Sequence, residues 1–150
     1  MNYWLMKTEP STYSIDDLKK DKITSWEGVR NYQARNYMMH DMQVDDLVLV
    51  YHSNTDEIGV VGIGKVATKA YPDKTQFDPQ SDYYDPKSTK ENPRWWCVDI
   101  GFVEKFPKIL TLNKIKSCPE LSNMVVAQKG SRLSITPVEK KHFEGIQKRC

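Results

Sequence analysis

The chain has 150 residues, the length of one ordinary domain, and no apolar run approaches the ~20 residues of a membrane-spanning helix. With 39% hydrophobic and 28% charged residues it has the composition of a globular protein, which excludes a disordered chain. The net charge is only +2, but residues 105–150 hold 10 Lys and Arg against 3 Asp and Glu. This basic end is either a nucleic-acid surface or a solvated Lys-rich tail.

The chain start and the cysteines indicate a reducing compartment. The start MNYWLMKTEP lacks the basic end and long apolar middle of a signal peptide, so secretion is not expected. Cys97, Cys118 and Cys150 are odd in number and widely spaced, which argues against a disulfide framework or a zinc site. We expect a cytoplasmic protein in a bacterium or a nuclear one in a eukaryote, without metal or cofactor.

The first half of the chain is predicted to mix short helices and strands. In chain order these are a strand at 3–6, helices at 15–20 and 31–42, and strands at 47–51 and 58–67. Ser14 and Asp17 form a capping box that opens the first helix, and Gly28 leads into the second. The last two strands are joined by a tight turn that leaves no room for a helix, which favours antiparallel pairing.

The second half contains a long loop and then a β-rich end. Residues 71–93 hold four prolines and no hydrophobic period, and Phe77, Tyr83 and Tyr84 indicate that this loop folds back onto the domain. The elements that follow are a long strand at 95–106, helical turns opened by Thr111 and Pro119, a strand at 132–135, and a closing helix opened by Thr136, Pro137 and Glu139. The strand order predicts an α+β fold in which a mixed, largely antiparallel sheet curls into a small barrel flanked by short helices.

Familiar catalytic signatures are absent from the sequence. There is no G-x-S-x-G, H-E-x-x-H or P-loop, and the glycines at 59–64 continue as a strand and do not open a phosphate-binding helix. Cys97 lies in a predicted strand and is expected to be a packed thiol, while Trp4 is assigned to the core.

One segment has the residue types of a base-binding site. Trp26 precedes a helix start that carries Arg30, Asn31 and Arg35. An indole stacks bases, an asparagine amide pairs with a base edge, and the N-terminus of a helix suits a phosphate. The alternative is that Trp26 belongs to the core and that the two arginines pair with the acidic residues at 45–46.

Several runs, in order from residue 3 to 138, resemble the EVE domain family. These runs lie at 3–10, 26–36, 50–53, 59–63, 85–88, 93–99 and 132–138, and the run WEGVRNYQARN at 26–36 is the most specific. The resemblance implies a single EVE domain over 1–150 with a PUA-like pseudo-β-barrel of five to six strands. It also implies a nucleic-acid partner carrying a modified base, with 5-methylcytosine-type bases in DNA foremost and modified RNA as the other possibility.

By likeness to YTH domains, the modified base is expected to enter an aromatic pocket. The predicted pocket residues are Trp26, Asn31, Tyr51, His52, Ser53 and Trp95, and the predicted phosphate contacts are Lys7, Arg30, Arg35, Lys129 and Arg132. Neighbours in a strand face opposite ways, so at most one of Trp95 and Trp96 is expected to line the pocket, and Trp95 is the one chosen. The alternatives are a satisfied His52 at the barrel end, a solvated Lys7, and ion pairs for Lys129 and Arg132.

Three classes of function are open at this point. The first is a non-catalytic, monomeric reader of a modified base that uses neither metal nor membrane. The second is a nucleoside amidohydrolase of the ASCH type, for which Lys7, Thr8 and Glu9 supply the residue types, although alternation along a strand prevents all three from converging. The third is a protein-interaction module, whose binding would be insensitive to salt.

Overall fold

The computed structural model describes residues 1–149, so the predicted free thiol of Cys150 lies outside the described residues. Its strands are β1 (Tyr3–Thr8), β2 (Ile23–Ser25), β3 (Leu47–His52), β4 (Gly59–Val66), β5 (Tyr71–Pro72), β6 (Trp96–Cys97), β7 (Asp99–Thr111) and β8 (Ile135–Val138). Its helices are α1 (Ile15–Asp21), α2 (Tyr32–Asn36), α3 (Leu112–Ser117) and α4 (Lys140–Arg149). Single turns of other helix types cover Tyr37–Asp41, Lys74–Phe77 and Val125–Ala127.

One curled six-stranded sheet, in the order β2-β7-β4-β3-β1-β8, is the framework of the fold. Strands β1 and β3 are parallel, and every other neighbouring pair is antiparallel. The short strands β5 and β6 form a separate ribbon. The predicted α+β class and the largely antiparallel sheet are therefore confirmed.

Both faces of the sheet are covered by apolar side chains. Along β3, Val48 and Val50 belong to one buried cluster, while Leu49 and Tyr51 belong to the other. This is the period-2 alternation of a strand that is buried on both sides. Trp4 is in the core as predicted, 3% exposed, and its indole Nε1 donates to Asp46 over 3.0 Å.

The helix starts follow local sequence signals where those signals are strong. Ser14 Oγ accepts from the Asp17 backbone N–H, and the Asp17 carboxylate accepts from the Ser14 N–H, so the predicted capping box is confirmed. The predicted helix at 31–42 is α-helical only over α2, because the chain then widens into a π-helical turn in which Met42 N donates to the Tyr37 carbonyl.

The predicted boundaries of the last strand and of the closing helix are wrong. Thr136 and Pro137 do not open the closing helix; they pair with β1 inside β8, and α4 begins only at Lys140. β8 is an edge strand, where a proline without a ladder N–H is tolerated, and the Thr136 side chain is buried. The short helical turn expected at Pro119 is present, since the Ser122 N–H donates to the Cys118 carbonyl over 2.9 Å.

The predicted strand at 95–106 is also divided. Val98 leaves the ladder between β6 and β7, and its carbonyl accepts from the Trp26 N–H over 2.9 Å. The interruption fastens the segment at Trp26 to the sheet. Cys97, next to it, is buried, and burial raises the pKa of its thiol to about 12, so it is an inert packed thiol as predicted.

Candidate nucleic-acid interface

A cleft of about 440 Å³ opens where β1 ends, between residues 24–30 and the long loop. Its lining combines aromatic, cationic and anionic side chains, among them Lys7, Glu9, Trp26, Glu27, Arg30 and Tyr83. A hollow of this size with a few convergent polar groups is typical of small-ligand sites. Trp26 is 8% exposed and belongs to the core cluster, yet it also lines this cleft. Trp26 is therefore a core residue, as the alternative interpretation had it, that also borders the cleft; its contact with a base stays a prediction.

The buried carboxylate of Asp73 fixes the backbone of the cleft wall. It accepts hydrogen bonds from the Gly28 N–H (2.8 Å), the Thr75 N–H (2.8 Å) and Arg30 (3.2 Å). Burial alone would raise the pKa of Asp73, but the hydrogen bonds from Thr75, Gly28 and Arg30 outweigh it and hold the pKa below its usual range. Asp73 therefore stays charged and holds the cleft segment against the loop.

Arg30 is a structural clamp, so the structure does not support its predicted contact with phosphate. Its Nε and one terminal nitrogen donate to the Tyr83 carbonyl (3.2 and 2.7 Å), and that nitrogen also donates to Thr75 Oγ1. The other terminal nitrogen donates to the Val29 carbonyl and to Asp73. All five N–H groups of a guanidinium are thereby used. None is left for a phosphate oxygen.

Tyr83, like Tyr13, is an aromatic residue of the cleft that the site prediction missed. Gly28 has φ +85°, and a Cβ at this position would lie 2.6 Å from the Tyr83 ring, so the ring rests directly on the glycine backbone. Two signals pointed to this contact separately: the aromatic residues of the proline-rich loop, and the glycine two residues after Trp26. Nothing in the sequence joined them.

Lys7 lies at the cleft and its ammonium group has no carboxylate partner within residues 1–149. The ammonium nitrogen is 5.8 Å from the centre of the Tyr51 ring, its partner in the β1–β3 register, and burial lowers its pKa. Tyr51 itself is 2% exposed in the cluster on the other face of the sheet, where burial raises its pKa to about 12. Tyr51 does not line the cleft, so the structure does not support its predicted contact with a base.

His52 and Ser53 serve the fold at this end of the sheet. The His52 Nε2 accepts from the Ile15 N–H over 3.1 Å at the first turn of α1. Burial, more than the nearby Asp16 and Lys105 charges, lowers the pKa of His52 and keeps it a neutral acceptor. The Ser53 N–H donates to the Thr8 carbonyl. The satisfied histidine expected as the alternative is the one observed.

Asn31, Arg35 and Trp95 form a neighbouring network outside the cleft. Asn31 caps α2 by accepting from the Ala34 N–H, which occupies its amide oxygen. Trp95 stacks on Tyr32 with ring centres 4.8 Å apart and donates to Asp85, so its predicted place in the pocket is not supported. Arg35 lies over Tyr32 and donates to the Arg94 carbonyl. The arginines therefore tie down the loop and do not pair with the acids at 45–46.

The two remaining predicted phosphate contacts lie on the surface in the segment before β8. Lys129 and Arg132 are exposed in the turn before β8, and Ser134, two residues after Arg132, lines the cleft. Neither Lys129 nor Arg132 forms an ion pair among residues 1–149, so the ion pairs considered as the alternative to phosphate contact are not observed. Their contact with phosphate stays a prediction.

Glu27 is a second cleft residue that the site prediction missed. It is half-buried, and burial, ahead of the neighbouring Asp73 carboxylate, raises its pKa. No His, Cys, Asp and Glu side chains within residues 1–149 form a group of three or more suited to a metal ion. No helix in the same residues is long and apolar enough to cross a bilayer.

The chain matches a known protein family over almost its whole length. The model of the EVE domain family matches residues 2–149 of this chain. The chain belongs to the EVE domain family. It is 40% identical over 163 residues to thymocyte nuclear protein 1 of Gallus gallus, a match that covers 96% of the chain but 66% of that longer relative.

Solved structures of similar proteins share the whole fold. A protein from Pseudomonas syringae matches this EVE domain with a TM-score of 0.94 and 45% identity over 98% of each chain. Human thymocyte nuclear protein 1, solved in complex with DNA containing 5-methylcytosine, matches with a TM-score of 0.92 and 37% identity, over 99% of this chain and 97% of the other. An ASCH protein from Zymomonas mobilis, at 9% identity and a TM-score of 0.52, shows the shared fold alone.

Proposed function

We propose that residues 1–150 act as one EVE domain that reads a modified base in nucleic acid without catalysing a reaction, and that the base is of the 5-methylcytosine type in DNA. The observation that carries the proposal is the cleft that Trp26 and Tyr83 line together with charged side chains. The complex of human thymocyte nuclear protein 1 with DNA containing 5-methylcytosine supports the choice of ligand.

The energetics of the cleft suit a single unstacked base. Extruding a base from a duplex costs a few kcal/mol. Stacking on an aromatic side chain returns roughly 1–3 kcal/mol per base, and burying the added methyl group contributes about 0.8 kcal/mol. Trp26 and Tyr83 are the aromatic groups placed to supply this contact. Preference for the methylated over the unmodified base is therefore expected to be modest.

The same end of the molecule supplies cations for the phosphate backbone. Lys7 lies at the cleft, and Lys129 and Arg132 precede its Ser134 wall. Arg30 and the network around Arg35 act indirectly, since they hold the loop that carries Tyr83. Backbone phosphates then position the strand, while the cleft reads the base.

The amidohydrolase alternative lacks an available catalytic set. Thr8 Oγ1 donates to the Tyr13 carbonyl over 2.8 Å, and Glu9 accepts from the Asn54 side chain over 3.2 Å. Thr8, Glu9 and Lys7 all line the cleft, but Thr8 and Glu9 are bonded to other residues, the Lys7 ammonium lies over Tyr51, and none of the three is hydrogen-bonded to another. A reader is the function that this geometry favours.

Tyr83→Ala and Tyr84→Ala test the proposal as a matched pair. The two side chains are neighbours and 40% and 42% exposed, but only Tyr83 lines the cleft. We expect Tyr83→Ala to weaken binding of a 5-methylcytosine oligonucleotide by about tenfold, measured by fluorescence anisotropy, because one stacking surface is lost. Tyr84→Ala should bind like the parent protein.

The parent protein is titrated in parallel with DNA and RNA strands that carry modified or unmodified cytosine. Equal affinity for all of them, or equal effects of the two tyrosine variants, contradicts the proposal. Trp26→Ala is the weaker probe, because truncating a buried tryptophan costs about 3–5 kcal/mol of stability.

A further inference from the structure

Glu27 is the carboxylate at the cleft that the fold leaves without a protein partner. Its carboxylate has no hydrogen-bond or ion-pair partner among residues 1–149, and only charges at a distance act on it. The other acids around the cleft segment are engaged, Asp73 by Gly28 and Arg30 and the exposed Glu9 by Asn54. A half-buried acceptor next to Trp26 therefore faces a ligand space without a protein donor.

A cytosine reader needs such an acceptor for a chemical reason. Thymine carries the same C5-methyl group as 5-methylcytosine, so stacking and methyl contact cannot tell the two bases apart. They differ at the Watson–Crick edge, where cytosine has an N4 amine that donates and thymine has an O4 carbonyl that accepts. A pocket that selects the methylated cytosine must present an acceptor to that amine.

We infer that Glu27 accepts a hydrogen bond from the exocyclic amine of an extruded cytosine and thereby excludes thymine from the cleft. The inference rests on the proposed function and names the group that reads the base edge. An ionised carboxylate only accepts, so it satisfies N4 and repels O4.

The test compares three single-stranded oligonucleotides that differ at one position, which holds 5-methylcytosine, cytosine or thymine. For the parent protein we expect thymine to bind about ten- to hundredfold more weakly than 5-methylcytosine. In Glu27→Gln the amide both donates and accepts, so the affinities for these two bases should fall within about threefold of each other. Glu57→Gln removes the same charge from an exposed position outside the cleft and should keep the parent ratio.

The outcomes separate the two claims. If the parent binds all three strands equally, both the proposed function and the role of Glu27 are overturned. If it prefers 5-methylcytosine to cytosine but binds thymine equally well, the reader stands and the inference about Glu27 is overturned. A Glu27→Gln protein that melts like the parent yet still rejects thymine also overturns it.

Discussion

Asp73 is the single charged residue on which the wall of the cleft depends. Its side chain is fully buried, and its partners come from two segments more than 40 residues apart along the chain. Since its pKa is held below the usual range, ionised Asp73 contributes stability above the unfolded pKa of about 3.8, and this contribution is lost as pH falls through the lower folded value.

Asp73→Asn should therefore destabilise the protein in a pH-dependent way. At pH 7 we expect a loss of about 3 kcal/mol in the free energy of unfolding, because the variant leaves Arg30 without its buried partner. The difference from the parent should shrink below about pH 3.8, where the parent also loses the charge. Urea denaturation at a series of pH values measures it, with the exposed Asp82→Asn as control. A difference independent of pH down to 2.5 contradicts this account.

At the scale of elements, the backbone at Gly28 joins the cleft segment to the long loop. Gly28 and Gly130 both have positive φ, +85° and +78°, but a Cβ would strike the Tyr83 ring at Gly28 and meet nothing within 4 Å at Gly130. Substituting each glycine by alanine therefore distinguishes the stability lost to backbone strain, expected at both positions, from the stability lost by displacing the loop, expected only at Gly28.

Gly130→Ala should cost only the strain of an L-residue at positive φ, about 1–2 kcal/mol. Gly28→Ala should lower the stability of the protein by more than this, since the Tyr83 ring must move. It should also abolish selective binding of the modified oligonucleotide. Thermal unfolding and anisotropy titrations of both variants measure this. Equal losses of stability combined with intact binding by Gly28→Ala would show that Tyr83 does not form the wall.

The sequence predicted elements where the signal was local. The capping box at Ser14 and the paired strands β3 and β4 depend on neighbouring residues, and both are observed. The register of β8 was missed because a threonine and a proline that look like a helix start are instead accommodated at a sheet edge.

The site was only partly predictable, for a reason of distance along the chain. Trp26 and Lys7 were found from their residue types, and both line the cleft. The five hydrogen bonds of Arg30 and the contact of Tyr83 with Gly28 join residues up to 55 positions apart, and they exist only once the loop is in place. A sequence pattern identifies an arginine but does not show what will occupy its donors.

At the scale of the whole molecule, charge is distributed unevenly. Residues 105–150 supply 10 of the 22 basic residues but only 3 of the 20 acidic ones. Arg132 lies two residues before Ser134, which lines the cleft, whereas Lys140 lies near Tyr3, at the opposite end of β1. Phosphate contacts are therefore expected on one end of the molecule only.

Lys129→Ala and Arg132→Ala should each weaken modified and unmodified strands alike. Each should also reduce the slope of log affinity against log salt by about 1, because one phosphate contact is lost. Lys140→Ala, which removes the same charge at the far end, should leave the slope unchanged. The measurement is a series of titrations between about 50 and 200 mM salt. Over this range the affinity of a protein with many phosphate contacts falls by about 10³–10⁵. If either Lys129→Ala or Arg132→Ala instead changes the preference between modified and unmodified strands, that side chain contacts the base and not the phosphate.

The long loop is held to the domain at a few positions, and the rest of it is free to vary between related proteins. Its anchoring contacts lie at Asp73, Thr75 and Tyr83, whereas residues 86–92 form exposed turns. Substitutions and length changes in those turns leave the anchors and the sheet intact. Descendants of one ancestral chain can thus vary in the sequence and length of this short surface stretch while inheriting the same scaffold.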